Sequence, residues 1–303
     1  MAEGTVDSKL KSTTPTIKES RVLDILSTGN LKRLVLQFTP DSLEDLIKVI
    51  GHEAMSLANY NRFGMFSNIA IETTSICNRR CDYCPVSISD LYQSRPLKPM
   101  DDKTYHNVID QLAAVNYQGT VALQHYGEPL LDPKLESRIT YARKQLPNAF
   151  LVMNSNGDRL DPGRFVRLVK AGIDLIHVTN HNKNGELEPS LQALQAYLKG
   201  HPELRKHFKM RAGVSSYYNR GGLIEAQNPR KLTHCVDESY SANVDVEGNV
   251  ILCANDYVGD HRYGNVNEKG IVSIWYGKEF KDLRSRKKRG HFDLDICKKC
   301  VGE

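Results

Sequence analysis

The chain has 303 residues, 40% of them hydrophobic, which is enough for one large domain plus a smaller satellite and a core that needs no disulfide. Its 41 basic and 36 acidic side chains leave a net charge of +5, too mild a balance to mark a nucleic-acid binder. No signal-peptide core and no run of the roughly 18 apolar residues of a membrane helix is visible, so the expectation is a cytoplasmic protein with no membrane partner.

In chain order, residues 1–20 are polar, Ser/Thr/Lys-rich and without period, and read as a flexible tail. Residues 21–65 read as a helical preface. Its clearest piece is "TPDSLEDLIKVIGHEAMSL", where Thr39 can cap, Pro40 stands at the first helical position, and Leu43, Leu46, Ile47 and Ile50 form one apolar stripe.

A βα alternation follows. Strands are expected at Ile69–Thr73, Thr120–Gln124, Phe150–Asn154, Asp174–Thr179 and Lys209–Ser215. Helices are expected near Asp102–Val115, Pro133–Gln145, Pro162–Ala171 and Ser190–Lys199, with Gly119, Gly172 and Gly200 as caps. Repeated βα units make a parallel sheet, closed or nearly closed as a barrel. Beyond about residue 225 the pattern changes to a hairpin, "SANVDVEGNVILC", turning at Glu247-Gly248-Asn249, then a helix and a terminal "CKKC". The division expected is 66–225 for the barrel and 226–303 for a small α+β unit.

Seven cysteines in a reducing compartment are expected as thiols or metal ligands, and an odd count cannot pair off completely. Cys77, Cys81 and Cys84 form CxxxCxxC directly after the first strand, where barrels of this kind gather their chemistry. Three thiolates on a short loop suit a cubane iron–sulfur cluster with one iron lacking a protein ligand, and an open position marks a catalytic metal rather than a structural one. Cys235, Cys253, Cys297 and Cys300 form the second set. By spacing alone they fit either a fully ligated [4Fe-4S] cluster or a zinc ribbon.

CxxxCxxC with Tyr83 before its last cysteine resembles the signature of the radical S-adenosylmethionine enzymes. The fold this implies is a partial (β/α) barrel with, from "GNVILC" and "GNVNEKGIVSIW", a C-terminal twitch version of the SPASM auxiliary-cluster domain. The cofactors implied are S-adenosylmethionine and two [4Fe-4S] clusters, the second ligated by all four later cysteines. "HYGEP" resembles the family's glycine-glycine-glutamate segment, with Tyr126 in place of the first glycine; Gly127 would allow close approach and Glu128 would hold the methionine amino group. "NSNGD" resembles the segment along the cofactor's ribose and carboxylate, which brings in Ser155 and Asn156. Arg220 in "NRGG" inherits substrate binding, its fork of donors suiting a polyol. His181, at the end of the fourth strand, and Asp256 are candidate bases, and Asn255 stands where a carboxylate is expected.

The function implied is hydrogen abstraction from a carbinol carbon of a sugar or aminocyclitol and oxidation to a ketone, in natural-product (antibiotic) biosynthesis. An external one-electron reductant such as flavodoxin or ferredoxin is the expected partner. Three rivals stand beside it. A redox-neutral epimerase would need a hydrogen donor, for which no cysteine is spare and Tyr217, Tyr218 or Tyr257 would have to serve. A peptide-modifying enzyme would need more than a 65-residue preface for its leader. A zinc protein binding RNA through "RSRKKRGH" would rest on one basic run, which reads as a solvated helix face.

Overall fold

The computed structural model describes residues 43–182, 185–213, 219–225 and 232–302. Thr39, Pro40, Tyr217, Tyr218, the tail and the start of the preface lie outside the described residues.

A helix, α1 (Leu43–Tyr60), precedes five strands in parallel: β1 (Asn68–Ile71), β2 (Thr120–Ala122), β3 (Phe150–Ser155), β4 (Leu175–Asn180) and β5 (Phe208–Ala212). The crossovers carry α2 (Ser89–Gln93) and α3 (Asp102–Ala113), then α4 (Leu135–Gln145), α5 (Pro162–Ala171) and α6 (Pro189–Gly200). The C-terminal part adds β6 (Ser241–Val244), β7 (Asn249–Ile251) and β8 (Arg262–Asn265), followed by α7 (Ile271–Trp275), α8 (Lys278–Lys288) and α9 (Asp295–Val301).

All eight strands belong to one sheet, ordered β5-β4-β3-β2-β1-β6-β7-β8. β6 pairs in parallel with β1, Asn68 opposite Ser241 through Ile71 opposite Val244, and β7 and β8 continue antiparallel. The sheet ends at β5 and β8, so the barrel is partial. β1, which leads into the first three cysteines, is therefore an interior strand with neighbours on both edges.

Local sequence explains the helices that frame this sheet. Asp101 caps α3 by accepting from Thr104 N at 2.9 Å; Asp161 caps α5 by accepting from Arg164 N at 2.9 Å, with Pro162 behind it. α5 ends at Gly172, whose φ of +110° is the left-handed cap expected there. The other two expected caps differ. α3 runs out into Asn116 at φ +48°, and Gly119 is glycine because a Cβ would lie 2.5 Å from Ser67 O. Gly200 is the last helical residue, with His201 as cap.

Strand residues Ile69, Ile71, Val121, Leu151, Met153, Ile176 and Val178 are buried against helix stripes such as Tyr105, Val108, Ile109 and Leu112, spaced for one face. The single tryptophan, Trp275, is fully buried, stacks edge-on to Phe66 at 5.2 Å and donates to Gly64 O at 2.7 Å. Its loss would cost about 3–5 kcal/mol.

The apolar stripe read on α1 is only partly its buried face: Ile47 is 60% exposed, Leu46 and Ile50 are half-buried, and Val49, Glu53 and Ser56 turn inward. Polar partners decide the orientation. Glu53 accepts from Tyr240 Oη at 2.6 Å and from Gly64 N, and Ser56 bridges Arg62 O and Met65 N. The basic run 284–291 likewise departs from a solvated face. Arg284 is buried over the Trp275 ring, and Lys287 is 1% exposed.

Candidate active site with two thiol sets

The loop after β1 is held from both sides. Ser75 N donates to Lys98 O and Met100 N to Thr73 O, while Glu128 N donates to Ile76 O at 2.9 Å. Gly127 makes that approach possible, because a Cβ there would stand 1.8 Å from Thr74 O. Within the loop Cys84 N donates to Cys81 O, Pro85 opens a short 3₁₀ turn, and Cys77 N donates to Tyr92 Oη at 3.3 Å. Burial pushes the thiols of Cys77, to about 11, and of Cys81 and Cys84 upward, so a cationic iron centre is what would hold them as thiolates.

Glu128 is buried at the end of the next strand unit. It accepts from Ser155 Oγ at 2.7 Å, Asn156 N at 2.8 Å and Leu130 N at 3.0 Å. A carboxylate offers about four acceptor sites, so one remains for an ammonium. Burial raises this carboxyl, and the three donors work against that rise. The ends of β2 and β3 are thus tied through the same side chain.

Several residues missed by the sequence reading complete this wall. Asn78 and Arg79 from the cysteine loop both bind Asp158, at 2.8 Å and 2.6 Å, and Arg79 also reaches Asn182 and Glu188. Asn156 Nδ2 donates to Asn78 at 2.9 Å. The polar character of "CNRRC" carried the signal, but its partners lie 78 to 109 positions away. Tyr83 Oη meets His181 Nδ1, placing the aromatic residue of the signature against the end of β4. Burial and then the Arg79 guanidinium push His181 below its usual value, so its ring is neutral near pH 7.

Beneath the loop lies a buried cluster that the sequence did not announce. Glu72, wholly buried, accepts from Arg95 Nη2 at 2.5 Å and from Tyr126 N at 3.3 Å, and His125 Nδ1 stands 3.8 Å away. Arg95 lies over the Tyr257 ring at 4.7 Å.

The second thiol set surrounds a cavity of about 420 Å³ lined by Cys235, Cys253, Cys297 and Cys300 together with Arg220 and Lys287. Cys253 follows β7; Cys297 and Cys300 sit at i and i+3 on α9, one face of one turn. Among the described residues no three His, Cys, Asp or Glu side chains are grouped to hold a single metal ion. Four thiols around a space of this size fit a multi-iron cluster. Burial pushes the Cys253 thiol well up; it also opposes the charge on Lys287, which the negative charge of Cys235, Cys253 and Cys297 as thiolates, and of Glu238, raises against that burial.

The two sets meet through named contacts. Tyr126 Oη donates to Ala254 O at 2.5 Å, its ring packs edge-on to Tyr257 at 4.6 Å, and Leu223 and Val258 pack in the same apolar cluster as Cys77 and Cys84. Arg220 has φ +52° in a turn continued by Gly221 and Gly222 at +68° and +89°. Cβ atoms at those glycines would press on Ile296 and Lys299, so the turn is fitted to α9. Arg220 lines the cavity beside Cys253 and Cys300, its charge reaches Cys84 and Tyr126, and its buried Nε has no hydrogen-bond partner among the described residues. Asn255 lines the cavity too and donates to Cys300 Sγ at 3.3 Å. Asp256 stands apart: its oxygens accept from Asp260 N and His261 N, both at 3.1 Å, and burial raises its carboxyl.

A partial (β/α) barrel with three thiols after its first strand, joined to a small α+β unit with four more, defines an iron–sulfur enzyme of radical type. The family model of the Radical SAM superfamily matches residues 71–194, and that of the iron-sulfur cluster-binding SPASM domain matches 235–301. The chain is 30% identical over 239 residues to the S-adenosyl-L-methionine-dependent 2-deoxy-scyllo-inosamine dehydrogenase of Niallia circulans, covering 78% of this chain and 93% of that one. The crystal structure of BtrN in complex with AdoMet and 2-DOIA superposes with a TM-score of 0.69 at 31% identity, over 77% of this chain and 92% of that one. Native anSMEcpe with bound AdoMet shares the fold, with a TM-score of 0.53 at 13% identity over 78% of this chain and 88% of that one. The chain belongs to the radical SAM superfamily. It is an enzyme whose cofactors are S-adenosylmethionine and iron–sulfur clusters. No helix among the described residues is long and apolar enough to cross a membrane.

Proposed function

We propose that the chain abstracts a hydrogen atom from a carbinol carbon of an aminocyclitol and oxidises that carbon to a ketone, a step of antibiotic biosynthesis. In this reading Cys77, Cys81 and Cys84 hold the catalytic [4Fe-4S] cluster, and Cys235, Cys253, Cys297 and Cys300 hold the auxiliary one. Glu128 receives the methionine ammonium on its remaining acceptor site; Ser155 and Asn156 fix that carboxylate; Tyr83, Tyr126 and Gly127 shape the surrounding wall. When bound, the cofactors supply a 5′-deoxyadenosyl radical that takes the hydrogen atom and a second cluster that accepts the electron left behind.

The observation that carries the reading is Arg220: a half-buried guanidinium whose buried Nε has no hydrogen-bond partner among the described residues, lining the second thiol set's cavity with its charge reaching Cys84 of the first. Its fork can orient several hydroxyls at once, which is what a polyol requires. Tyr126, Tyr257, Leu223 and Val258 exclude water from that spot. His181, neutral near pH 7, is able to take the hydroxyl proton; Asp256, with both oxygens held by backbone amides, is the poorer acceptor. A cytoplasmic setting and a flavodoxin- or ferredoxin-type reductant complete the reading.

The test is anaerobic incubation with 2-deoxy-scyllo-inosamine deuterated at its carbinol carbons. Deuterium in 5′-deoxyadenosine together with a product that has gained a carbonyl is the expected result. An inverted centre without oxidation would make the enzyme an epimerase, and absence of label from 5′-deoxyadenosine would remove this substrate class.

A further inference from the structure

The basic run on α8 is accounted for side chain by side chain, except at one position. Arg284 lies 3.5 Å over the Trp275 ring, Arg286 Nε pairs with Asp293 at 2.5 Å, and Lys288 Nζ stands 3.7 Å from Glu53. Lys287 between them is 1% exposed, lines the cavity of the second thiol set, and has no carboxylate within ion-pair distance among the described residues. Glu238, which lines the same cavity along with Glu44, Asp45 and Asp237, accepts from Ala254 N at 3.2 Å with one oxygen, and its charge also reaches Lys287 without an ion-pair contact. Burying a lone ammonium is costly, so a side chain placed this way needs negative charge to face. Among the described residues the negative charge that faces it is that of Glu238 and, concentrated at one point, that of the group that Cys235, Cys253 and Cys297 would ligate.

We propose that Lys287 is a fixed charge that makes the auxiliary cluster a better electron acceptor. The inference rests on the ligand assignment proposed above. Four thiolates more than cancel the positive core of a [4Fe-4S] cluster, so the site is anionic when oxidised and more so when reduced. A cation held beside it in a dry pocket stabilises the reduced form more than the oxidised form, and the reduction potential rises. The backbone ties the same residue to the ligand set, since Cys235 N donates to Lys287 O at 3.1 Å. Lys287 is thus a tuning residue acting through charge, and its effect favours net oxidation of a substrate radical over return of a hydrogen atom.

The experiment uses the full chain, reconstituted anaerobically, with iron counted and both cluster midpoints followed by EPR-monitored redox titration. Wild type is expected to hold about eight irons, two clusters of four. A wild-type chain without the second cluster would overturn the ligand assignment, and this inference with it. Given both clusters, Lys287→Met is expected to keep its iron and to disfavour auxiliary reduction at least tenfold, about 59 mV for one electron. The catalytic midpoint should stay in place, and Lys287→Arg should restore the auxiliary one. An unchanged auxiliary midpoint in the methionine variant overturns the proposal. If that variant sheds the second cluster, retention in the arginine variant supports a role through charge, and loss from both variants makes Lys287 a packing element and overturns it.

Discussion

Tyr126 and Ala254 share a hydrogen bond of 2.5 Å that crosses from the end of the second barrel strand to the residue after a cysteine of the second thiol set. Tyr126 therefore links the wall proposed for S-adenosylmethionine to the C-terminal unit. Tyr126→Phe removes the only donor this side chain has and leaves the Ala254 carbonyl without it. The expected cost is about 1–3 kcal/mol, read as a lower denaturation midpoint, with iron content unchanged.

Gly127→Ala places a methyl group where Thr74 O already stands, and neither partner is the free end of a flexible side chain. The cysteine loop or the "YGEP" backbone must move. Overpacking of this kind costs about 1–3 kcal/mol, and the first consequence expected is loss of about four irons, the catalytic cluster, with the auxiliary EPR signal retained. Full iron content together with full S-adenosylmethionine cleavage in this variant would contradict the account of the loop.

Arg220→Lys keeps the positive charge and gives up the planar fork. Cleavage of S-adenosylmethionine in the absence of substrate should persist, whereas the ratio of ketone to 5′-deoxyadenosine should fall by roughly tenfold or more, since a fork-for-point-charge exchange is not conservative where several oxygens are bound. An unchanged ratio would take Arg220 out of substrate binding.

Glu72 predicts an acid limit. Burial alone would push its carboxyl up, but the His125 ring and then the Arg95 guanidinium hold it down to about 2, from an ordinary value of 4.5. A carboxyl lowered by folding contributes stability that is fully present above about pH 4.5 and is lost as pH falls toward 2. The stake is roughly 3 kcal/mol. Glu72→Gln should be less stable than wild type near pH 7 and should show a flatter fall between pH 4.5 and 2, measured by urea denaturation across that range.

The βα alternation was legible because apolar spacing and caps are local: α5, with Asp161, Pro162 and Gly172, stands where the sequence puts it. The signature motifs were legible for the same reason, each being a short run on one loop. What escaped is pairing at long range. Arg79 and Asp158 are far apart in sequence, and nothing local in either names the other. The buried face of α1 was partly misread because hydrophobic spacing gave way to Glu53 and Ser56 once Tyr240 and Met65 supplied partners. Lys287 was hidden inside a run whose average character is that of a solvated surface, although a helix turns only some of its positions outward.

The strand that delivers the first three cysteines is flanked on one edge by β2 and on the other by β6, the strand that opens the second thiol unit. The two strands from which the two thiol sets lead off are thereby joined by one hydrogen-bonded ladder. In the proposed reading the two arms of the calipers that gauge a substrate hang from this one ladder, and the side chains lining the jaws trim the setting.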